Sequence, residues 1–369
     1  MANATNYWEY LHLDELLSLQ GGLEGDDDKL MPDELHFIIV HQVFELWFKL
    51  IIRELRMARD HLSVPQVPEE HIPLVFYHLG RVNAIARLLV EQFAVMETLT
   101  PQDFLDFRDK LMPASGFQSH QMRELEILLG LEPENRERLG PNDVVKALKI
   151  MSDESPMGTQ HWSNTVGAAQ REQSLRDALL EWLYRTPIQG SSPDDPGDDE
   201  VVMQFVRQYI DAQHAMLDEQ SVRLQEVQHI ETAESVARRF AQSKEQGEEF
   251  LFANDVAEQD RARVRRVRAG LLFIESYREL PLLAWPRLLI DAVVELEEQL
   301  VLFRTRHARM VERIIGRRIG TGGSSGVDYL DKTTKYRIFS ELWTVRTILL
   351  PRHALPPLRG AGFYGFRAE

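Results

Sequence analysis

Residues 286–326 read PRLLIDAVVELEEQLVLFRTRHARMVERIIGRRIGTGGSSG, and their periodicity decides the fold class. Leu296, Leu300, Phe303, Met310, Val311 and Ile314 recur at the three- and four-residue spacing of one helix face, and His307 falls among them. The histidine therefore points inward. Pro286 suits the first turn of such a helix and Gly320 is its expected stop. On the other faces stand Arg304, Arg306, Arg309, Arg313, Arg317 and Arg318, which suit the negative end of a helix dipole and can also meet an anionic group beside it. Two readings of His307 stay open on spacing alone: a core histidine satisfied by a neighbour, or an axial metal ligand. A pocket supplied by the rest of the chain is what would separate them.

Working outward, this helix would be about 45 Å long at 1.5 Å per residue, the kind of element that packs in bundles completed by other subunits. Nearly every other periodic segment also has the helical period, and no set of alternating strands bounded by turns stands out. The predicted class is all-α, a bundle of long helices. Helices are expected over 7–19, 33–62, 71–96, a short segment opening at Thr100-Pro101, 117–130, 173–185, 201–242, 245–279 and 333–350. Residues 190–200, GSSPDDPGDDE, read as an acidic Pro/Gly loop rather than a domain boundary, so residues 1–369 are expected to form a single all-helical domain. Within 33–62, Phe37, His41, Phe44 and Phe48 follow one another at spacings of 4, 3 and 4, placing a second histidine on an aromatic stripe. Glu45 and Lys49 make an i,i+4 pair on a more solvated face. After Thr100, Phe104 and Arg108 put a ring and a fixed cation on one side of a short helix.

Composition removes several function classes. Hydrophobic residues at 44% and charged residues at 27% are ordinary globular values. A formal charge of −16 argues against a general nucleic-acid surface, which draws its affinity from clustered Lys and Arg. No apolar run reaches bilayer-spanning length and the N-terminus lacks the regions of a signal peptide, so no membrane partner is expected and cytoplasmic residence is the default. Cysteine is absent, which excludes disulfides, thiolate-held zinc, cysteine-bound iron–sulfur clusters and covalent c-type haem. Any metal must be held by His, carboxylate, Tyr or Met. The glycine loop at 320–326 follows a helix rather than a strand and lacks a Gly-Lys-Ser/Thr ending, so it suits closure over a small ligand better than a nucleotide. Di-iron chemistry needs two Glu-x-x-His motifs, and only Glu226-x-x-His229 is present. Haem in a helical pocket survives these eliminations, because it asks for one inward histidine, an apolar slot and basic groups near its propionates. His307 with its arginines meets that demand. His41 is a candidate for the opposite wall, although spacing alone does not make the two face each other.

At these residues the chain resembles the tryptophan 2,3-dioxygenase family. The resemblance covers nearly the whole chain through Tyr7-x-x-Tyr10-Leu11-x-Leu13-Asp14-x-Leu16-Leu17, Phe37-Ile-Ile-x-His41-Gln42-x-x-Glu45-Leu46-Trp47, Glu97-Thr-Leu-Thr-Pro-x-x-Phe104-x-x-Phe107-Arg108, Pro113-Ala-Ser-Gly-Phe-Gln-Ser119 and Gly320-Thr-Gly-Gly-Ser-Ser-Gly326. It implies a homotetramer with non-covalent haem b, ferrous when active, that adds O2 across the indole C2–C3 bond of L-tryptophan to give N-formylkynurenine, the opening of the kynurenine pathway. Position by position, it implies that His307 is the proximal iron ligand and that His41 is the distal residue bonding the indole N–H. Arg108 would clamp the substrate carboxylate, Thr321 would bond the backbone-type groups of the amino acid, Phe37 and Phe104 would line the pocket, and Ser115 would lie near the haem edge. Tyr7, Tyr10 and Leu11 match residues that reach into a neighbouring subunit's site. Phe104 stands where many members have tyrosine, and Val40 precedes His41 where a polar residue is frequent. Two alternatives accompany the main reading: a haem monooxygenase that converts a substituted tryptophan to an oxindole, and a helical haem-binding sensor without turnover.

Overall fold

Side-chain caps set the helix boundaries of this protein. In the computed structural model, which describes residues 6–132, 138–139, 142–227, 232–322 and 326–365, Asn6 accepts from the Glu9 amide at 2.8 Å and opens α1 (Tyr7–Leu11). The helix expected over 7–19 breaks at once, because His12 turns left-handed (φ 51°) and α2 covers only Leu13–Leu16. Two long helices follow, α3 (Glu34–Leu62) and α4 (His71–Met96), both as expected. Thr100 accepts from the Asp103 amide and Pro101 takes the first position of α5 (Pro101–Arg108). The helix expected over 117–130 starts late, at α6 (His120–Leu129), because Ser119 accepts from the Met122 amide at 3.1 Å. Three shorter helices come next: α7 (Val144–Ser152), α8 (Pro156–Asn164) and α9 (Val166–Ala169). The strand pair Arg138–Leu139 with Asn142–Asp143 is the whole of the sheet among the described residues.

Ser174 caps α10 (Leu175–Arg185). The two helices expected over 201–242 and 245–279 are three: α11 (Asp198–Val227), α12 (Ala233–Phe252) and α13 (Arg261–Ser276). Thr232 caps α12 by accepting from the Ser235 amide, and α12 stops where Ala253 turns left-handed (φ 57°). Glu226 ends up in the last turn of α11, and His229 lies outside the described residues. The acidic loop is shorter than its composition suggests. Ser192 N donates to Asp195 at 2.7 Å, and α11 already begins at Asp198, whose buried carboxylate accepts two bonds from Arg266 at 2.6 and 2.8 Å. The long helix is α14 (Ala284–Ile315), with Pro286 in its first turn as predicted. It ends before Gly320, because Gly316 takes a left-handed conformation (φ 60°) that a side chain would strain. The helix expected over 333–350 starts late, as α16 (Ser340–Ile348), and a short α15 (Val327–Thr333) precedes it.

The chain divides into two compact units: Met1–Arg56, Gly80–Gln173 and Glu295–Ile338 form the first, and Met57–Leu79, Ser174–Val294 and Phe339–Glu369 the second. The first unit buries Phe44, Phe48, Ile51, Ile52 and Leu55 of α3 with Val82, Ile85, Leu89, Phe93 and Met96 of α4. This corrects one sequence expectation, since α3 is long and apolar enough to cross a membrane by length and composition, with a mean hydropathy of 1.6 over its most apolar window. Phe44, Phe48, Ile51, Ile52 and Leu55 of this helix are nonetheless buried in the core, while Ile39 and Leu46 are exposed. The second unit is organised around Tyr209, whose hydroxyl accepts from the Leu350 amide at 3.0 Å and from Ser276 at 3.3 Å.

Candidate functional site

The aromatic stripe of α3 and the histidine stripe of α14 open onto one cavity in the first unit, walled also by α5, α6, α15 and the turn at 115–119. The centre of a water-sized sphere can move through about 270 Å³ of it. Phe37, His41, Phe104, Arg108, Ser115, His307 and Thr321 all line it. Sequence spacing made both histidines inward-facing, and the fold brings them to the same chamber.

His41 stacks on Phe37 with ring centroids 4.1 Å apart, and Phe37 in turn lies 5.8 Å from Phe104. The accessible face of His41 is cavity wall, and burial pushes its pKa below 6.5 even though the Phe37 carbonyl and Glu45 pull the other way. Nδ1 lies 2.8 Å from the Phe37 carbonyl oxygen, which can only accept, so Nδ1 carries the proton. Nε2 is thereby left as a hydrogen-bond acceptor. Glu45 does not pair with Lys49 as its spacing suggested. It faces the cavity and accepts from Gln121 Nε2 at 2.7 Å.

His307 stacks on Phe93 at 5.7 Å with the rings nearly parallel and makes no hydrogen bond to another described residue. Burial, with help from His41 and Arg123, lowers its pKa to about 4. A neutral imidazole with no protein partner has a lone pair free for a metal. Among the described residues no three His, Asp or Glu side chains converge on a metal position, so an ion at His307 would need further ligands from a bound group. A porphyrin meets that requirement.

The cationic lining departs from expectation. Of the arginines on and just beyond α14 only Arg304 lines the cavity, while Arg306 bonds Glu97 at 2.7 Å, Arg309 bonds Glu312 and Asp331, and Arg317 bonds Asp328 at 2.9 Å. Arg304 is joined instead by two buried residues of α6: Arg123 Nη1 lies 2.8 Å from Glu126, which Arg304 approaches to 3.7 Å. Two cations share the Glu126 carboxylate, and the buried Glu297 carboxylate also acts on Arg304. Among the described residues Arg304 Nη2 and Arg123 Nε have no hydrogen-bond partner. Buried donors in that condition fit an acidic group carried by a ligand, such as a porphyrin propionate. Arg123 and Glu126 escaped the sequence reading, although a detectable signal existed: Glu126 sits on the apolar face formed by Met122, Leu125 and Leu129.

At the mouth, Arg108 donates to the Ile319 carbonyl through Nη2 and keeps a buried Nε that has no partner among the described residues. Thr321 donates to the Ala114 carbonyl at 2.6 Å. Gly322 presses so closely on Ser115 that a Cβ added there would stand 2.7 Å from the serine Cβ. The described part of the glycine loop therefore rests on the 113–115 turn, and Gly323, Ser324 and Ser325 lie outside the described residues. Tyr7, Tyr10 and Leu11 do not line this cavity, and they are 71%, 75% and 40% exposed.

The sequence model of the family described as tryptophan 2,3-dioxygenase matches residues 1–349. Among curated proteins, a tryptophan 2,3-dioxygenase of Sorangium cellulosum is 46% identical over 99% of this chain and 88% of its own length. Tryptophan 2,3-dioxygenase 2 of Ralstonia nicotianae is 47% identical over 99% and 98%. A tryptophan 2,3-dioxygenase of Alteromonas mediterranea is 36% identical over 97% of each chain.

Proposed function

The chain belongs to the tryptophan 2,3-dioxygenase family, and on that premise we propose that it adds both atoms of O2 across the indole C2–C3 bond of L-tryptophan, giving N-formylkynurenine. The observation that carries this reading is the meeting of His41, His307, Arg108 and Thr321 around one cavity. Haem b, when bound, would be held by His307 and faced by donors of Arg123 and Arg304, and would supply the ferrous centre for dioxygen chemistry. Everything else is positioning by this chain. His41 Nε2 accepts the indole N–H, an assignment that follows from the bond of Nδ1 to the Phe37 carbonyl. Phe37 and Phe104 flank the indole with apolar surface and keep water from it. Arg108 takes the carboxylate through its free Nε and its fork, and Thr321 exchanges the Ala114 carbonyl for the amino-acid end as the glycine loop adjusts. All these groups lie in the first unit. In this reading the protein is cytoplasmic and tetrameric, and the exposed Tyr7, Tyr10 and Leu11 complete a neighbouring subunit's site.

The test is product mass. The purified haem-loaded protein, given L-tryptophan under 18O2, should form a product carrying two labelled oxygens. One labelled oxygen would move the assignment to oxindole-forming monooxygenation, and no product from any indole would end the oxygenase reading.

A further inference from the structure

Behind the main cavity lies a second, smaller chamber between α3, α4, α6 and α14, all within the first unit. Gln299 is the single polar side chain in a wall otherwise built of aliphatic residues, phenylalanine and methionine. The space open to the centre of a water-sized sphere is about 20 Å³, against the roughly 10–15 Å³ that one water needs. Size alone would admit water. Chemistry opposes it, because an ordered water needs two to four polar partners and this wall offers one side chain. A small nonpolar molecule has no such requirement and enters for the reason that hydrocarbons leave water.

Phe48, Met122 and Phe303 line both chambers. The partition is thin: the Phe48 and Phe303 rings stand 6.1 Å apart, edge to face, and Phe303 lies 6.2 Å from His307. Phe48 is also the last member of the stripe that carries His41. The partition therefore sits where the two histidine-bearing walls meet, and Met122, unbranched and adaptable, completes it. A rotamer change of one ring or of Met122 would join the spaces without moving a helix.

We propose that this chamber is a docking site for a dioxygen-sized apolar gas, from which O2 passes through the Phe48–Met122–Phe303 partition to the main cavity. The supply role rests on the oxygenase reading above, whereas gas occupancy does not. Crystals of the full-length protein equilibrated under pressurised oxygen, and in parallel under krypton, should show density in the chamber. Ala86→Leu fills space from α4 and touches only the small chamber. It should remove that density and raise the KM for O2 by about threefold or more, with kcat at saturating O2 and the KM for tryptophan unchanged. Val82→Ile, a gentler filling on the same helix, guards against misfolding and should shift both readouts in the same direction. No gas density in the wild-type chamber overturns the proposal, and density lost in both variants with an unchanged KM for O2 overturns the supply role. A protein that binds gas there but consumes no O2 with any indole would refute the oxygenase reading and leave the docking site standing.

Discussion

Replacing Arg108 by alanine tests the substrate clamp against the simplest structural explanation for the same residue. Arg108 has two separable tasks: its Nη2 holds the Ile319 carbonyl just ahead of the glycine loop, and its buried Nε and remaining fork face the cavity. A charge-assisted contact to a carboxylate contributes about 1.5–3 kcal/mol, so losing it should lower kcat/KM for L-tryptophan by about one to two orders of magnitude. Loss of the Ile319 contact would instead loosen the loop for every substrate. Tryptamine, which keeps the indole and amine but has no carboxylate, separates the two. Steady-state O2 consumption with both substrates, at matched haem content, should show a large fall for tryptophan and a change of less than about threefold for tryptamine. Arg108→Lys should recover only part of the tryptophan rate, because an ammonium keeps the charge and loses the planar fork. Equal losses on the two substrates would refute the clamp and leave Arg108 as a loop anchor.

His307→Ala should abolish haem retention and the Soret band while the far-UV circular dichroism keeps its helical form, and added imidazole should restore part of the band; full haem retention without it would remove the proximal assignment. Because burial holds the His41 pKa below the ordinary imidazole value of 6.5, Nε2 stays an acceptor at neutral pH and turns into a donor facing the indole N–H only on acidification. The KM for tryptophan should therefore be flat from pH 8 to about 6.5 and rise below it, a limb absent in His41→Ala, whose own cost should be only about threefold to tenfold. Gly322→Ala should raise the KM for tryptophan, since its Cβ would need the space of the Ser115 Cβ, without altering haem content or melting temperature; an unchanged KM would show that the loop yields without consequence.

The long helices were legible because periodicity over many turns is a cooperative signal: α3, α4 and α14 bury the faces that their apolar spacing marked. Breaks were less legible. His12 and Ala253 adopt left-handed conformations without glycine, so no residue type announced the end of α1 or α12. In α12 the decisive partner is remote, since Asp255, two residues past the turn, is held by Arg268 at 2.6 Å from the following helix. The acidic 190–200 segment is a loop through residue 197, and only its last three residues depart from that reading. Its composition reads as solvated loop, and only Arg266, far along the chain, makes Asp198 a buried helix opener.

The site divides along the same line. Residues whose role depends on their own helix face, such as His41, His307 and the Phe104–Arg108 pair, could be placed from spacing and then named through the family resemblance. Charge balance could not, because it depends on which distant groups the fold brings together. Six arginines on or beyond α14 looked like one basic face, yet Glu97, Glu312, Asp328 and Asp331 neutralise Arg306, Arg309 and Arg317 outside the cavity. Arg304 alone turns in, and the second cation comes from α6 through Arg123, tied to the same Glu126. Two buried cations in contact with the single carboxylate of Glu126, with Glu297 acting on Arg304 from farther off, can accept a further negative charge. If that charge belongs to the ligand, Glu126→Gln should lower the melting temperature of the haem-free protein more than that of the haem-bound protein. An equal loss in both forms would mean that the arginine pair is a feature of folding and plays no part in holding the ligand.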